Sequence, residues 1–257
     1  GETADTLAAL REAKAQDSKS IAICNVVGSM ATRETTGTIY THAGPEIGVA
    51  STKTFSSQLV ALYLLALRLG QIRGTLQDKD VRHHIEGLMQ LPSLMQHCLR
   101  CNAAIVKIAK RFYRTENFLY LGRGINYPIA LEGALKLKEV SYIHAEGYPA
   151  GEMKHGPIAL IDENMPIVAL MPTGSVFDKM MANLQETKTR GGSIIAVTDA
   201  DPEAFTKIHH SEQDFIVSLP LTNRLLTPIL MVIPLQLLAY HIAVLRGCDV
   251  DQPRNLA

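Results

Sequence analysis

One arrangement of secondary structure occurs twice in this sequence, and the repeat limits the folds open to the chain. The first copy reads as a helix starting at Thr3, followed by an apolar strand over residues 20–25. The second copy reads as a helix over residues 177–192 and a strand over 193–199. Each copy continues into a second strand and a long apolar helix. About sixty residues, including a further strand and helix, precede the second copy and have no counterpart before the first. The repeat therefore predicts two lobes, the first lacking its N-terminal half.

Strands alternate with helices along the chain. The clearest strand patterns cover residues 21–24, 118–121, 167–171, 194–197 and 215–218. Such alternation implies right-handed crossovers and mostly parallel sheets flanked by helices, which is the α/β class. The most apolar stretches, 58–69 and 225–245, are predicted to be core helices, since the first is too short to span a bilayer and the second contains two prolines.

The same patterns predict four segments. Residues 1–75 form the C-terminal part of the first lobe, and residues 76–115 form a charged helical connector without a strand signal. Residues 116–248 form the second lobe. Residues 249–257 break the preceding helix and are predicted to be a loop or an extended arm.

Charge and cysteine content restrict the function classes. The 25 basic and 25 acidic residues cancel, which argues against nucleic acid or an anionic membrane as the main partner and leaves small solutes. Four cysteines in 257 residues do not make a disulfide framework, so we expect a reducing cytoplasm and a buried thiol at Cys24. Cys98 and Cys101 form a CxxC pair on a helical stretch, which favours two helical thiols over zinc or redox chemistry. No metal and no cofactor are predicted.

Three ionisable side chains share one stripe of the helix predicted from Pro128 to Tyr142. Glu132, Lys136 and Glu139 follow at spacings of four and three residues. The stripe fits either a solvated salt-bridge ladder or an acid–base group. The next segment, residues 146–157, crowds glycines, prolines and ionisable groups, as loops that carry catalytic groups often do. His155 lies in this segment, where it fits either a structural or a catalytic role.

Candidate phosphate loops are less specific. Gly1, Glu2 and Thr3 precede a helix, where unpaired N–H groups attract anions, but Thr3 equally fits a helix cap. Residues 122–128 repeat a strand, glycine loop and proline-started helix, which fits either a tight turn or a ligand loop. Residues 172–177, the later equivalent of the first loop, carry fewer hydroxyls than a phosphate site needs. The two lobes are therefore predicted to hold unequal sites.

Several long motifs resemble one known family. Residues 1–7, 43–53, 130–139, 151–157 and 249–257 are similar, in the same order, to the isomerase domain of the glucosamine-6-phosphate synthase family, the glutamine–fructose-6-phosphate aminotransferases. That domain consists of two sugar-isomerase (SIS) lobes. The resemblance spans nearly the whole chain.

The resemblance implies an activity and its acid–base residues. The family converts fructose 6-phosphate and ammonia to glucosamine 6-phosphate, and an N-terminal glutaminase domain supplies the ammonia from glutamine. By resemblance, Glu139 moves the proton between sugar carbons 1 and 2, and Lys136 binds substrate and tunes Glu139. His155 opens the sugar ring and reaches the site from the neighbouring subunit, which implies a homodimer.

The resemblance also assigns binding positions. Glu46, Val49 and Ser51 match the segment that lines the sugar pocket, and Thr3 matches the last member of the phosphate loop. Ala257 immediately precedes the family's catalytic lysine. Since that lysine and three phosphate ligands fall outside the sequence, we expect the chain to be a fragment of a larger synthase.

Two other classes remain open at this stage. A glutamine-independent SIS phosphosugar isomerase or deglycase would share the lobes and the base. A non-catalytic SIS module that senses a sugar phosphate would need the phosphate loop but neither Glu139 nor His155.

Overall fold

The computed structural model describes residues 1–206, 208 and 213–256, and the chain divides into two compact units, Gly1–His84 and Ile85–Ala257. Helix α4 (Asp78–Cys98) contributes its first residues to the first unit and the rest to the second. The boundaries predicted from the sequence, after residues 75, 115 and 248, stay a prediction.

The first unit contains a small parallel sheet and its helices. Its elements are α1 (Ala4–Ala15), β1 (Ile21–Cys24), α2 (Met30–Glu34), β2 (Gly37–Tyr40) and α3 (Lys53–Ile72). The two strands run parallel, with Ile21 opposite Gly37 and Cys24 opposite Tyr40. Cys24 is buried, as expected for a thiol on a strand.

The second unit is built on a five-stranded parallel sheet with the order β4-β3-β5-β6-β7. Its elements after α4 are α5 (Asn102–Phe112), β3 (Asn117–Gly122), α6 (Tyr127–Ser141), β4 (His144–Pro149), β5 (Pro166–Met171), α7 (Phe177–Lys188), β6 (Ser193–Thr198), β7 (Phe215–Ser218) and α8 (Thr227–Leu245). In chain order the strands run 2-1-3-4-5, a doubly wound arrangement whose direction reverses between β3 and β5.

The predicted repeat is confirmed in the order of elements. The series α1, β1, β2, α3 of the first unit returns as α7, β6, β7, α8 in the second. In each copy the two strands pair in parallel. The five predicted strands are present, and their observed ends differ from the predicted ones by one residue at most.

Strand β4 (His144–Pro149) is not predicted by the sequence, in which residues 146–157 have the composition of a loop. The first part of that segment is an edge strand paired along β3, and a short 3-10 helical segment, Ala150–His155, follows it. The strand contains Gly147 and Pro149 and lacks β-branched residues, so its local sequence does not indicate a strand. The extended conformation of β4 therefore depends on its pairing with β3 and not on the strand propensity of its own residues.

Gly147 lets β4 approach helix α6 closely. A Cβ at this position would lie 2.9 Å from both the backbone N and the Cα of Leu131. We therefore expect Gly147→Ala to destabilise the protein by about 1–3 kcal/mol in urea unfolding, because backbone atoms cannot move aside as a side chain can. The strand glycine Gly37, with open space around it, is the control, and Gly37→Ala is expected to change stability by about 0.5 kcal/mol or less. An equal loss of stability from the two substitutions would contradict the close approach of β4 to α6.

The sheet of the second unit is covered on both faces. On one face, Leu121, Ile167 and Ala196 pack with Met180 and Leu184 of α7 and with the 3-10 segment after β4. On the other face lie α6 and α8, which make the most extensive helix–helix contact of the molecule. Fully buried β positions such as these are typical of a parallel sheet between two helix layers.

The two long apolar helices differ in burial. By length and composition alone, Lys53–Ile72 and Arg224–Leu245 are apolar enough to cross a membrane, but 61% of the most apolar window of the latter is buried within the protein. The prediction of a core helix is thus confirmed for α8. For α3 the buried share is 17%, so that prediction is wrong for the first unit as described. The two-stranded sheet there is too narrow to cover a helix of 20 residues.

Candidate active site

The stripe of ionisable residues on α6 is a buried ion-pair ladder. Lys136 Nζ lies 3.6 Å from a carboxylate oxygen of Glu132, one turn before it, and forms a shorter ion pair with Glu139, one turn after it. The side chains of Glu132, Lys136 and Glu139 are 12%, 6% and 22% exposed. The ion pairs predicted from the spacing are confirmed. The ladder is buried, however, and not solvated. The packing of α6 between β4 and α8 removes this face from water.

Burial sets the electrostatics of the ladder. It raises the pKa of Glu132, an effect that the charge of Lys136 opposes and the charge of Glu139 reinforces. The one ammonium of Lys136 is thus paired with two carboxylates, those of Glu132 and Glu139, on a largely buried face of the helix. Glu139 has the most exposed side chain of the ladder, although its Oε2 atom is itself buried.

His155 lies apart from this ladder, at the end of the 3-10 segment that follows β4. Its side chain is 74% exposed, and its Nε2 lies 3.9 Å from the carboxylate of Glu152. Gly156 follows with φ +144°, a backbone conformation that favours glycine. The imidazole therefore projects from a turn with its ring open to a binding partner.

In the first unit, Glu46 organises the loop before helix α3. Its carboxylate accepts the backbone N–H groups of Thr52 (2.7 Å) and Lys53 (3.1 Å) and the hydroxyl groups of Thr52, Thr54 and Ser51. Two predicted pocket residues, Glu46 and Ser51, are thus brought together. A carboxylate at the start of a helix also satisfies N–H groups that have no partner within the helix.

These hydrogen bonds keep Glu46 ionised. Burial tends to raise the pKa of Glu46, but the hydrogen bonds from Thr54, Thr52 and Ser51 outweigh it, and the pKa lies below its usual value. The loop is therefore ordered around a negative charge.

We expect Glu46→Gln to weaken this loop by about 1–2 kcal/mol at pH 7, because a neutral amide oxygen accepts weaker hydrogen bonds. Faster amide hydrogen exchange at Thr52 and Lys53 would report the change. Since the folded pKa is below the unfolded value of about 4.3, the difference from wild type should be complete at neutral pH and should vanish as pH falls through the folded pKa. Glu12→Gln, which affects one exposed hydrogen bond on α1, is the control. A pH-independent effect would contradict this role.

The remaining predicted positions of the first unit are more open. Val49 is 49% exposed in the same loop as Glu46. Thr3 is the N-cap residue of α1, as the capping interpretation predicted, but within the described residues its side chain makes no capping hydrogen bond. The hydroxyl thus stays available to a ligand. Ala257 lies outside the described residues.

Burial makes two of the thiols, Cys98 and Cys101, poor nucleophiles. All four cysteines, which lie in the described part of the chain, are free. Burial raises the pKa of Cys98 to about 12 and that of Cys101 to about 11, so both stay protonated at neutral pH. The two residues lie on consecutive helical turns, as the sequence indicated. Across residues 1–206, 208 and 213–256, no group of three or more His, Cys, Asp or Glu side chains is arranged to hold a metal.

The C-terminal tail folds back onto helix α6. The Tyr142 hydroxyl accepts the backbone N–H of Arg254 at 2.8 Å, and the Arg254 guanidinium lies 4.2 Å from the centre of the Tyr142 ring. Tyr142 follows the last turn of α6, three residues after Glu139. The sequence does not predict this contact, because the two residues are 112 positions apart and neither belongs to a local pattern.

Three arginines near this tail contact the ends of helices. A cavity of about 680 Å³ is lined by Arg114, Arg246 and Arg254, among others, where α5, α6 and α8 end. Arg246 donates to the carbonyl of Tyr113 at 2.8 Å. Helix C-termini carry partial negative charge and unpaired carbonyls. The arginines therefore stabilise the ends of these helices, and their presence does not by itself indicate a ligand site.

A larger cavity of about 890 Å³ lies at the amino ends of β3, β4 and β5. Its lining includes Arg111, Glu116 and His144 but none of the predicted site residues. Ligands of doubly wound sheets bind at the opposite, carboxyl ends of the strands. This cavity is therefore not the candidate active site.

The doubly wound parallel sheet and the repeated lobe, with a buried ion-pair ladder on α6, are those of an α/β protein of the sugar-isomerase (SIS) fold class. The family model described as "SIS domain" matches residues 1–68 and 111–246, so the chain belongs to the SIS domain family.

Within that family the chain is similar along its length to relatives of one kind. Over 257 residues the chain is 51% identical to the glutamine–fructose-6-phosphate aminotransferase (isomerizing) of Thermococcus kodakarensis and 50% identical to that of Chlorobaculum tepidum. All of this chain is covered in both cases, but it spans only 42% and 41% of those relatives. The solved C-terminal domain of glucosamine-fructose-6-phosphate aminotransferase from Francisella tularensis superposes with a TM-score of 0.92 at 45% identity, covering 98% of this chain and 71% of that one.

Proposed function

We propose that this chain is the isomerase part of a glucosamine-6-phosphate synthase. It would act on fructose 6-phosphate and, with ammonia from a glutaminase domain, yield glucosamine 6-phosphate. The observation that carries the proposal is the ladder on α6, where a partly exposed carboxylate, Glu139, is held beside a buried ammonium, Lys136. Similarity to aminotransferases of this kind along the entire chain supports it.

In this proposal Glu139 transfers the proton. Its carboxylate takes a proton from carbon 1 of the open-chain ketose and returns it to carbon 2, so that an enediol or its imine equivalent forms between the two steps. The Lys136 ammonium pairs with the Glu139 carboxylate and offers a positive charge near the developing oxyanion. Lys136 thus both binds substrate and tunes the base.

The other positions take the roles that the family resemblance gives them. His155 opens the ring of a sugar bound to the neighbouring subunit, so the working protein is a homodimer. Its high exposure is what a residue shared between subunits requires. Thr3 binds the phosphate, while Glu46, Val49 and Ser51 line the sugar pocket. Ala257 likewise takes the substrate-binding role that the resemblance gives it. The expected compartment remains the cytoplasm.

Two alternatives predict different results in one assay. The complete synthase is supplied with fructose 6-phosphate, with and without glutamine, and products are followed by NMR. We expect glucosamine 6-phosphate with glutamine and slow conversion to the corresponding aldose phosphate without it. Isomerisation or deamination that ignores glutamine would favour a glutamine-independent isomerase or deglycase. Binding without turnover would favour a sensing module, and absence of both would reject the proposal.

A further inference from the structure

One face of helix α7 holds the segment that carries His155. Asn183 and Glu186, three residues apart on α7, point to the same side. Arg123, which follows β3, donates from Nε (3.3 Å) and from a terminal nitrogen (2.9 Å) to the side-chain oxygen of Asn183. Asn183 is itself only 7% exposed, so this two-point contact fixes the plane of the guanidinium.

The backbone before His155 rests on that plane. A Cβ at Gly151 would lie 3.3 Å from both terminal nitrogens of Arg123, so the glycine lies directly against the guanidinium. Ala150 and Met153 are fully buried in the core beneath the segment. Lys154 Nζ completes the attachment with an ion pair to Glu186 at 2.8 Å.

This arrangement holds most of the segment before His155 and leaves the imidazole largely exposed, with the exposed Glu152 carboxylate 3.9 Å from it. Four of the five residues before His155 are buried, seated on Arg123 or paired to α7, whereas His155 is 74% exposed. The Lys154 side chain is 61% exposed, and an ion pair in that setting contributes little to stability. Such contacts fix the orientation of the backbone before His155 and add little to the free energy of folding.

We infer that Arg123 and Lys154 are positioning residues that orient His155 for ring opening. The inference rests on the proposed function. In ring opening of a furanose, the anomeric hydroxyl loses a proton, the bond between carbon 2 and the ring oxygen breaks, and the ring oxygen gains a proton. His155 exchanges those protons, so its imidazole must lie within hydrogen-bond reach of the sugar. A displacement of about 1 Å can lower such a rate about a hundredfold.

A substrate that has no ring to open separates this role from a structural one. The 5-deoxy analogue of fructose 6-phosphate lacks the hydroxyl that closes the furanose, so it stays open and needs only the proton transfer at Glu139. In the complete synthase, Lys154→Met and Arg123→Met are expected to lower kcat for fructose 6-phosphate about ten- to a hundredfold. Turnover of the analogue should stay within about twofold. His155→Gln should show the same selectivity, and Arg123→Lys, which keeps the charge but not the fork, should be intermediate.

Lys179→Met, at an exposed position of the same helix, is the matched control and should leave both substrates unaffected. Equal losses on both substrates would overturn the inference in favour of general disruption. Unchanged turnover of fructose 6-phosphate in Lys154→Met and Arg123→Lys would overturn it as well. Both of these variants are expected to fold, because one changes an exposed side chain and the other keeps its charge. If wild type fails to turn over either substrate, the proposed function itself is rejected.

Discussion

Replacing Glu139 by Gln is expected to lower kcat for fructose 6-phosphate about a thousandfold, because general acid–base groups commonly contribute 10²–10⁴ to the rate and an amide cannot accept the proton. The affinity for the sugar phosphate should change by about threefold or less, since Gln keeps the size of Glu. Steady-state kinetics and equilibrium binding on the same preparation measure the two quantities separately.

Two comparisons make that result specific to Glu139. Glu203→Gln, at an exposed position of the second unit, should behave as wild type. Glu132→Gln leaves the ion pair between Lys136 and Glu139 in place, and we expect a loss of about tenfold or less. A Glu132 variant as inactive as the Glu139 variant would show that the wrong carboxylate has been assigned.

Replacing Lys136 by Met is expected to destabilise the protein by about 3–5 kcal/mol in urea unfolding at pH 7. Lys136 is 4% exposed, and its removal leaves Glu132 and Glu139 as neighbouring charges without the cation between them. Removing one partner of a buried pair costs this much because the charge left behind is poorly solvated. Met preserves the length and most of the volume of the side chain, so a cavity makes little contribution.

The pH dependence provides the control for that variant. Without Lys136, the pKa of Glu132, already raised by burial, should rise further. An acid whose folded pKa lies above its unfolded value loses stability as pH rises through that interval, so the deficit should be full at neutral pH and should shrink in acid. The double variant Glu132→Gln, Lys136→Met should recover part of the stability at pH 7. A deficit below about 1 kcal/mol, or one independent of pH, would contradict the buried ladder.

Much of the fold could be predicted from local pattern. Apolar runs such as those of β5 and β6 are recognisable because a strand between two helix layers is buried on both faces. Strand β4 was not predictable in this way, because its Gly147 and Pro149 read as a loop and only the pairing with β3 makes it a strand. The exposure of α3 also depends on what covers it, a property that its own apolar sequence does not contain.

The candidate site also contains features that the sequence predicts and features that only the fold determines. Helical spacing placed Glu132, Lys136 and Glu139 on one stripe, but whether that stripe is wet or dry depends on the packing around α6. The partners of Glu46 lie within eight residues of it, yet residue types alone do not reveal which hydroxyl faces the carboxylate. Arg123 and Asn183 are 60 positions apart, and only the fold brings them together.

The central claim is that a carboxylate on α6 carries a proton between carbons 1 and 2 of a ketose phosphate. Running the conversion of fructose 6-phosphate in D₂O tests it most directly, with NMR reporting deuterium at carbon 2 of the aldose product. We predict deuterium at that carbon with the wild-type synthase and about a thousandfold slower incorporation with Glu139→Gln. Equal rates of deuterium incorporation at carbon 2 by Glu139→Gln and by the wild type would contradict the account.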